Sequence, residues 1–248
     1  MIFNKVIITC LKDNHINNKH VLYEIMFIVL VSYRARGIQS FRRNQLEKTI
    51  QNFKAYFENN KIEYRVVIAE QNNDKKFNRG LLLNVAFLES EKSFTFPKKY
   101  IHMNADYNFN LSYKFPKEIM EFQTGFMELF RVNAPVLGSA CVFDGESYIQ
   151  TNGFPNDIEG WGGDDWAILH RIKQNDIPLS SPEGLFNNNF IIEEQIPFYN
   201  DESNNNKNIA LAKRNDFRSN GLNSIEYNID GFGEFHDDKN NVLHYLID

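Results

Sequence analysis

The feature that most limits the fold is an alternation of apolar strands and amphipathic helices over the first hundred residues. Ile25 to Val31 (IMFIVLV) is an unbroken apolar run of strand length, too short to cross a bilayer. It reads as a buried strand. Ser32-Tyr33-Arg34-Ala35-Arg36-Gly37 then forms a strand-to-helix loop. A helix follows from about Ile38 to Asn59, with Phe41, Leu46, Ile50, Phe53 and Phe57 at helical spacing on its apolar face. Tyr64 to Ala69 repeats the strand, Gln71 to Lys76 the polar loop, and Phe77 to Leu88 the helix, with Leu81, Leu82, Val85 and Leu88 turned inward. Tyr100 to Asp106 is a third strand ending on a carboxylate. Such an α/β order predicts a parallel sheet, and parallel sheets bind ligands outside the carboxyl ends of their strands. Arg34, Arg36, Arg79 and Asp106 fall at or just beyond those ends.

Beyond Asp106 the alternation weakens. Leu111 to Arg131 is Phe-rich, Val136 to Phe143 reads as a strand, and Gly153 to Gly163 is a Gly/Pro/Asn loop that enters a helix at Asp164. The Asn-rich stretches at Asn187–Asn189 and Asn204–Asn206 read as solvated loop, and residues 221–248 as closing strands. Residues 1–24 form an N-terminal arm or edge strand, and residues 25–248 read as one domain, with no repeat and no dividing linker. A net charge of −5 argues against nucleic acid as a partner, because phosphate neutralisation needs clustered Lys and Arg. Cys10 and Cys141 are far apart and lack metal-type spacing. No signal peptide or transmembrane anchor is visible, and as written the chain is expected to be cytoplasmic.

The second concentration of chemistry is Gly160-Trp161-Gly162-Gly163-Asp164-Asp165-Trp166, leading into Ala167-Ile168-Leu169. Two glycines ahead of a carboxylate pair and an apolar helical pattern describe a loop that becomes a helix N-terminus. Unpaired N–H groups and the helix dipole there are expected to keep both aspartates ionised at neutral pH. By itself the pair reads as an N-cap, Asp164, and a first-turn acid, Asp165. The strand ends add arginines able to grip phosphate oxygens, an aromatic (Phe77) able to stack on a base, and an aspartate able to hold a divalent metal. Facing that set, a carboxylate on the glycine loop could remove a proton from an incoming hydroxyl. The combination describes a nucleotide-sugar transferase.

The motifs Ser32 to Arg36 (SYRAR), Phe77 to Val85 (FNRGLLLNV), Asn104-Ala105-Asp106, Asn152 to Asn156 (NGFPN), Gly160 to Asp165 and Asp216 to Ser224 (DFRSNGLNS) occur in an order that resembles the β-1,4-galactosyltransferases over about residues 25–245. The resemblance implies a GT-A fold, a Rossmann-like mixed sheet flanked by helices. It also implies an inverting, metal-assisted transfer of galactose or N-acetylgalactosamine from UDP to a hydroxyl of a glycan or glycoconjugate acceptor. On this resemblance Asp165 matches the catalytic base; Arg34, Arg36, Phe77, Arg79 and Asn104 the nucleotide side; Val136, Gly138, Trp161, Gly163 and Asp164 the sugar and acceptor side; and Asp106 with Glu194 the ligands of Mn²⁺ or another divalent cation.

Several positions depart from the family pattern. Asn104 stands in place of the first Asp of the metal motif, and Glu194 and Ile191 in place of a metal-binding His and Met. Val136 replaces a bulky aromatic that restricts the donor to galactose, which leaves room for an N-acetyl group. Asn206 and Lys207 replace acceptor-pocket residues. Two alternatives follow from these departures: a catalytically silent UDP-sugar or glycan binder on the same scaffold, or a transferase for a different UDP-hexose. His102 and His170 have no partner at metal spacing and read as structural, and Trp166 as a helix residue turned toward the core.

Overall fold

The computed structural model describes residues 25–35, 39–96, 98–130, 136–137, 140–160, 162–181, 190–192, 202–214 and 217–248. Three strands carry the parallel core: β1 (Met26–Tyr33), β2 (Tyr64–Gln71) and β3 (Lys98–Asn104). β4 (Tyr107–Phe109), β5 (Phe126–Phe130), β6 (Ala140–Asp144), β7 (Leu179–Ser180), β8 (Phe190–Ile192), β9 (Ile229–Phe232) and β10 (Val242–Ile247) complete the strands among the described residues. The helices are α1 (Gln39–Asn60), α2 (Arg79–Ser93), α3 (Lys117–Glu121), α4 (Gly145–Gln150), α5 (Asp164–Gln174) and α6 (Glu202–Ala212).

One mixed sheet runs β7-β5-β6-β3-β1-β2-β10-β9, and β4 pairs with β8 apart from it. β3, β1, β2 and β10 are mutually parallel. Every residue of β1 is buried, because helices cover both faces of a parallel sheet and leave no solvent side for polar alternation. Phe27, Val29, Val31 and Tyr33 pack with Leu46, Phe53, Tyr56 and Phe57 of α1. Met26, Ile28 and Leu30 pack on the other face with Leu82, Leu83, Val85, Ala86 and Phe87 of α2. Truncating any of these fully buried rings to Ala would cost about 3–5 kcal/mol.

The strand order places a reversal beside β1. The chain adds β2 on one side of β1 with α1 on one face, then crosses to β3 on the other side with α2 on the opposite face. A crevice opens outside the carboxyl ends of the strands where the winding reverses. Ser32 lies opposite Asn104 in the register, so Arg34 and the Asn104–Asp106 segment leave the sheet at this crevice. β6 runs antiparallel to β3 with Ala140 opposite Met103, which brings Val136 and Leu137 to the same end. The Leu137 N–H donates to the Asp165 carbonyl at 3.4 Å.

The structure departs from the sequence reading in several places. β3 ends at Asn104, and Ala105-Asp106 form a turn into β4; the Thr49 hydroxyl of α1 donates to the Ala105 carbonyl at 2.7 Å and fixes that turn. The strand expected from Val136 starts only at Ala140. α2 starts at Arg79 rather than Phe77 and runs on to Ser93. Phe41 is exposed on α1 rather than inward. Asn204–Asn206, expected as loop, fall within α6. Residues 1–24 and Asn187–Asn189 lie outside the described residues. No helix among the described residues is long and apolar enough to cross a membrane.

Candidate active site

The site rests on three of the sequence motifs, which lock onto one another. Asn78 caps α2: its Oδ1 accepts from the Leu81 N–H at 2.9 Å and its amide donates to the Asn156 carbonyl at 2.7 Å. Such a cap satisfies a helix-end N–H that would otherwise have no partner. Asn84, fully buried, donates to the Phe154 carbonyl at 2.8 Å and accepts from the Phe154 N–H at 2.9 Å and the Tyr148 hydroxyl at 2.8 Å. Gly153 must be glycine here. Its φ is +64°, and a Cβ would lie 2.2 Å from Asn84 Oδ1. From α5, Arg171 donates to the carbonyls of Gly153 and Asn220, each at 2.6 Å, and Asn156 donates to the Gly221 carbonyl at 2.8 Å. The FNR, NGFPN and SNGLNS segments are therefore a clamp that sets the start of α2 against the start of α5.

That clamp brings together residues 85 positions apart. Arg79, the first residue of α2, projects its Nη1 between the two aspartates that open α5, pairing with Asp164 and with Asp165 Oδ1, the latter at 2.8 Å. Nη2 of the same guanidinium lies 2.9 Å from His102 Nε2 on β3, and the Phe154 ring centroid is 6.0 Å from Arg79 Cζ. The side chains of Arg79 and Asp164 are each 14% exposed and that of Asp165 is 27% exposed. The Gly160 N–H donates to the Phe77 carbonyl at 2.7 Å, tethering the glycine loop to the residue before the α2 cap.

The expectation that Asp164 is the N-cap is corrected. Gly163 holds that position at φ +91°, and neither aspartate is used as a cap because both turn to Arg79. The expectation that the helix start alone keeps both ionised also needs revising for Asp165. Burial pushes its carboxyl up to about 6, Arg79 opposes the rise and Asp164 adds to it. Asp165 is still mostly ionised at pH 7 and can accept a proton near neutrality. Burial works against charge on Arg79, but the two carboxylates outweigh it and raise its basicity further. Burial and the Arg79 charge push His102 well below the usual imidazole range, so it is neutral.

Of the other expected site residues, Arg34 is half-buried at the end of β1, Asn104 half-buried opposite Ser32, and Asp106 buried in the turn beyond it. Phe77 is half-buried against the α2-side core and Val136 half-buried before β6. Arg79, expected on the nucleotide side, is engaged in this structure by the acid pair and His102. Arg36, Gly138, Trp161 and Glu194 lie outside the described residues. Asn206 and Lys207 are exposed on α6. Trp166 is half-buried against the small cluster of Ile158, Ala167 and Ala212.

For a divalent cation, no group of three or more His, Cys, Asp or Glu among the described residues forms a ready cage. Ile191 on β8, 52% exposed and opposite Asn108, offers no donor atom. Asp106 remains a hard oxygen donor at the crevice, the type that suits Mn²⁺ or Mg²⁺. His102 was missed as a site residue. The available signal was its place two residues before Asn104 on the same strand, which puts both on one face.

Two family models match the chain: the N-terminal region of glycosyl transferase group 7 over residues 10–107, and the N-terminal domain of galactosyltransferase over residues 123–195. The chain belongs to the β-1,4-galactosyltransferase family. Within this family it is 26% identical over 149 residues to β-1,4-galactosyltransferase 4 of Mus musculus, covering 57% of this chain and 42% of that one. To human β-1,4-galactosyltransferase 1 it is 26% identical over 177 residues, 68% of this chain and 43% of that one. The chain thus spans less than half the length of these relatives. The catalytic domain of Drosophila β-1,4-galactosyltransferase 7, solved in complex with xylobiose, superposes with a TM-score of 0.66 at 18% identity, covering 90% of this chain and 94% of that one. A mutant of the same enzyme was solved with manganese, UDP-Gal and xylobiose, also with a TM-score of 0.66. The fold of this galactosyltransferase-family chain is accordingly a mixed α/β sheet flanked by helices, as its sequence predicts.

Proposed function

We propose that residues 25–248 form a single catalytic domain that transfers a hexose from a UDP donor to a hydroxyl of a glycan or glycoconjugate, with inversion at the anomeric carbon. The observation that carries this reading is the acid pair on Arg79 at the start of α5, set beside the carboxyl ends of β1 and β3. Asp165, the more exposed of the pair, accepts the proton of the acceptor hydroxyl as that oxygen bonds to the anomeric carbon. The bond from that carbon to the phosphate oxygen breaks, and UDP departs with its electron pair. Asp164 holds the acceptor sugar. Arg34 and Arg36 grip the diphosphate, Phe77 and Asn104 lie toward the uridine, and Trp161, Gly138 and Gly163 line the sugars. Arg79, on the nucleotide side, also keeps the two acids apart and oriented.

A divalent cation, held by Asp106 with Glu194, would supply positive charge to the departing diphosphate. Val136, smaller than an aromatic, admits UDP-GalNAc as well as UDP-Gal. This reading is supported by the UDP-Gal and manganese in the Drosophila structure, which belong to that protein. The test is UDP release from a panel of UDP-hexoses, with and without Mn²⁺, in the presence of a mixed glycan acceptor pool. Turnover of one donor that rises with Mn²⁺ supports the transferase. UDP binding indifferent to Mn²⁺, with no release from any donor, would instead make the chain a silent binder.

A further inference from the structure

We propose that His102 is a positioning residue for the acid pair: as an uncharged acceptor at Nε2 it fixes the Arg79 guanidinium so that Nη1 stays on Asp164 and Asp165. The inference rests on the reading of Asp165 as the base. His102 sits in the middle of β3, opposite Leu30 of β1 and Cys141 of β6, on the face that packs α2. Its cross-strand neighbours on that face are Leu30 and Cys141, and it is 2% exposed. An imidazole buried there is costly unless its ring nitrogens find partners. A guanidinium can only donate, so Nε2 must accept from Arg79 and the proton sits on Nδ1. The neighbour of Nδ1 is the Cys141 sulfur at 3.9 Å, a weak contact.

The guanidinium is held from two directions. Its Nη1 meets the carboxylates, its Nη2 meets His102, and its buried Nε has no hydrogen-bond partner among the described residues. His102 is therefore the acceptor that stops the plane from rotating away from α5. The charged group acting on His102 is Arg79 from α2, which in turn pairs with Asp164 and Asp165 from α5, and the titratable neighbour on its other side is Cys141 from β6. Protonation of His102 is opposed by burial and by the Arg79 charge, which leaves Nε2 as an acceptor.

The experiment compares wild type with His102→Leu, which fits the apolar face, and His102→Gln, whose side-chain carbonyl can still accept. The readouts are the pH profile of kcat/KM for UDP release and the ¹³C titration of the Asp165 carboxyl by NMR. With Arg79 no longer fixed, the acid limb in His102→Leu should move up by about one pH unit. That would give a loss of about five-fold at pH 6 and less than about two-fold at pH 8. His102→Gln should keep the wild-type limb, and donor KM should change by less than about two-fold in both. A loss equal at every pH, or an Asp165 titration unchanged in a folded His102→Leu protein, would overturn the proposal. His102→Phe serves as the apolar variant if Leu lowers the Tm by more than a few degrees. If wild type turns over no donor, the transferase reading fails on its own, and the NMR titration still decides the role of His102.

Discussion

Replacing Asp165 by Asn should stabilise the protein at neutral pH while removing its chemistry. On folding, burial carries the Asp165 carboxyl from 3.8 to about 6 even though Arg79 opposes the shift. At about 1.36 kcal/mol per pH unit, keeping it ionised at pH 7 costs the fold about 2–3 kcal/mol relative to the unfolded chain. The sign follows from proton counting. Between pH 4 and pH 6 the folded chain binds a proton that the unfolded chain releases, so this group stabilises at low pH and its contribution is lost as pH rises through 6. Asn carries no charge and escapes that loss. Scanning calorimetry should therefore find wild type and Asp165→Asn melting within a degree or two of each other at pH 4. At pH 7.5 a gain of about 2 kcal/mol should raise the Tm of the variant by about 4–8 °C. UDP affinity should be unchanged, because the base acts only in the chemical step. A variant that melts below wild type at pH 7.5 would mean instead that the Arg79 pairing outweighs burial.

Arg79→Ala removes the cation between two carboxylates and should cost about 3–5 kcal/mol in urea unfolding at pH 7, with a smaller loss at pH 4 where Asp165 is protonated. Gly153→Ala forces a side chain into a left-handed turn and onto Asn84, and should lower stability by more than about 2 kcal/mol as measured by thermal melting. Asp106→Asn should weaken the Mn²⁺ dependence of UDP binding by about ten-fold in calorimetric titration.

The parallel core was legible in the chain because its signals are local. An apolar run such as Met26 to Val31, followed by Leu46, Phe53 and Phe57 at helical spacing, has few alternatives once both faces of a sheet must be covered. α6 was not legible. Asn-rich composition favours loop, and the helix at Glu202–Ala212 depends on tertiary partners: Asn208 is buried and donates to the Glu159 carbonyl at 2.9 Å, and Ala212 packs in the cluster under Trp166. The candidate site divides in the same way. Motif order marked Arg79, Asp164 and Asp165 as site residues, and the glycine loop did lead into a helix at Asp164. Their pairing with one another was hidden, since it arises only after Asn84, Phe154 and Arg171 lock three distant segments together. His102 was hidden for a related reason: its partner comes from the helix packed on its strand, and spacing along β3 says nothing of it.

Asp165 as the base of a UDP-hexose transferase is open to direct test. The most direct measurement is UDP release by wild type and by Asp165→Asn, run side by side on the same donors and acceptor pool with Mn²⁺ present. Wild type should release UDP from one donor, and the variant should lose at least about 10³-fold in kcat at equal UDP affinity. Wild-type turnover retained by Asp165→Asn would contradict the role of Asp165 as base.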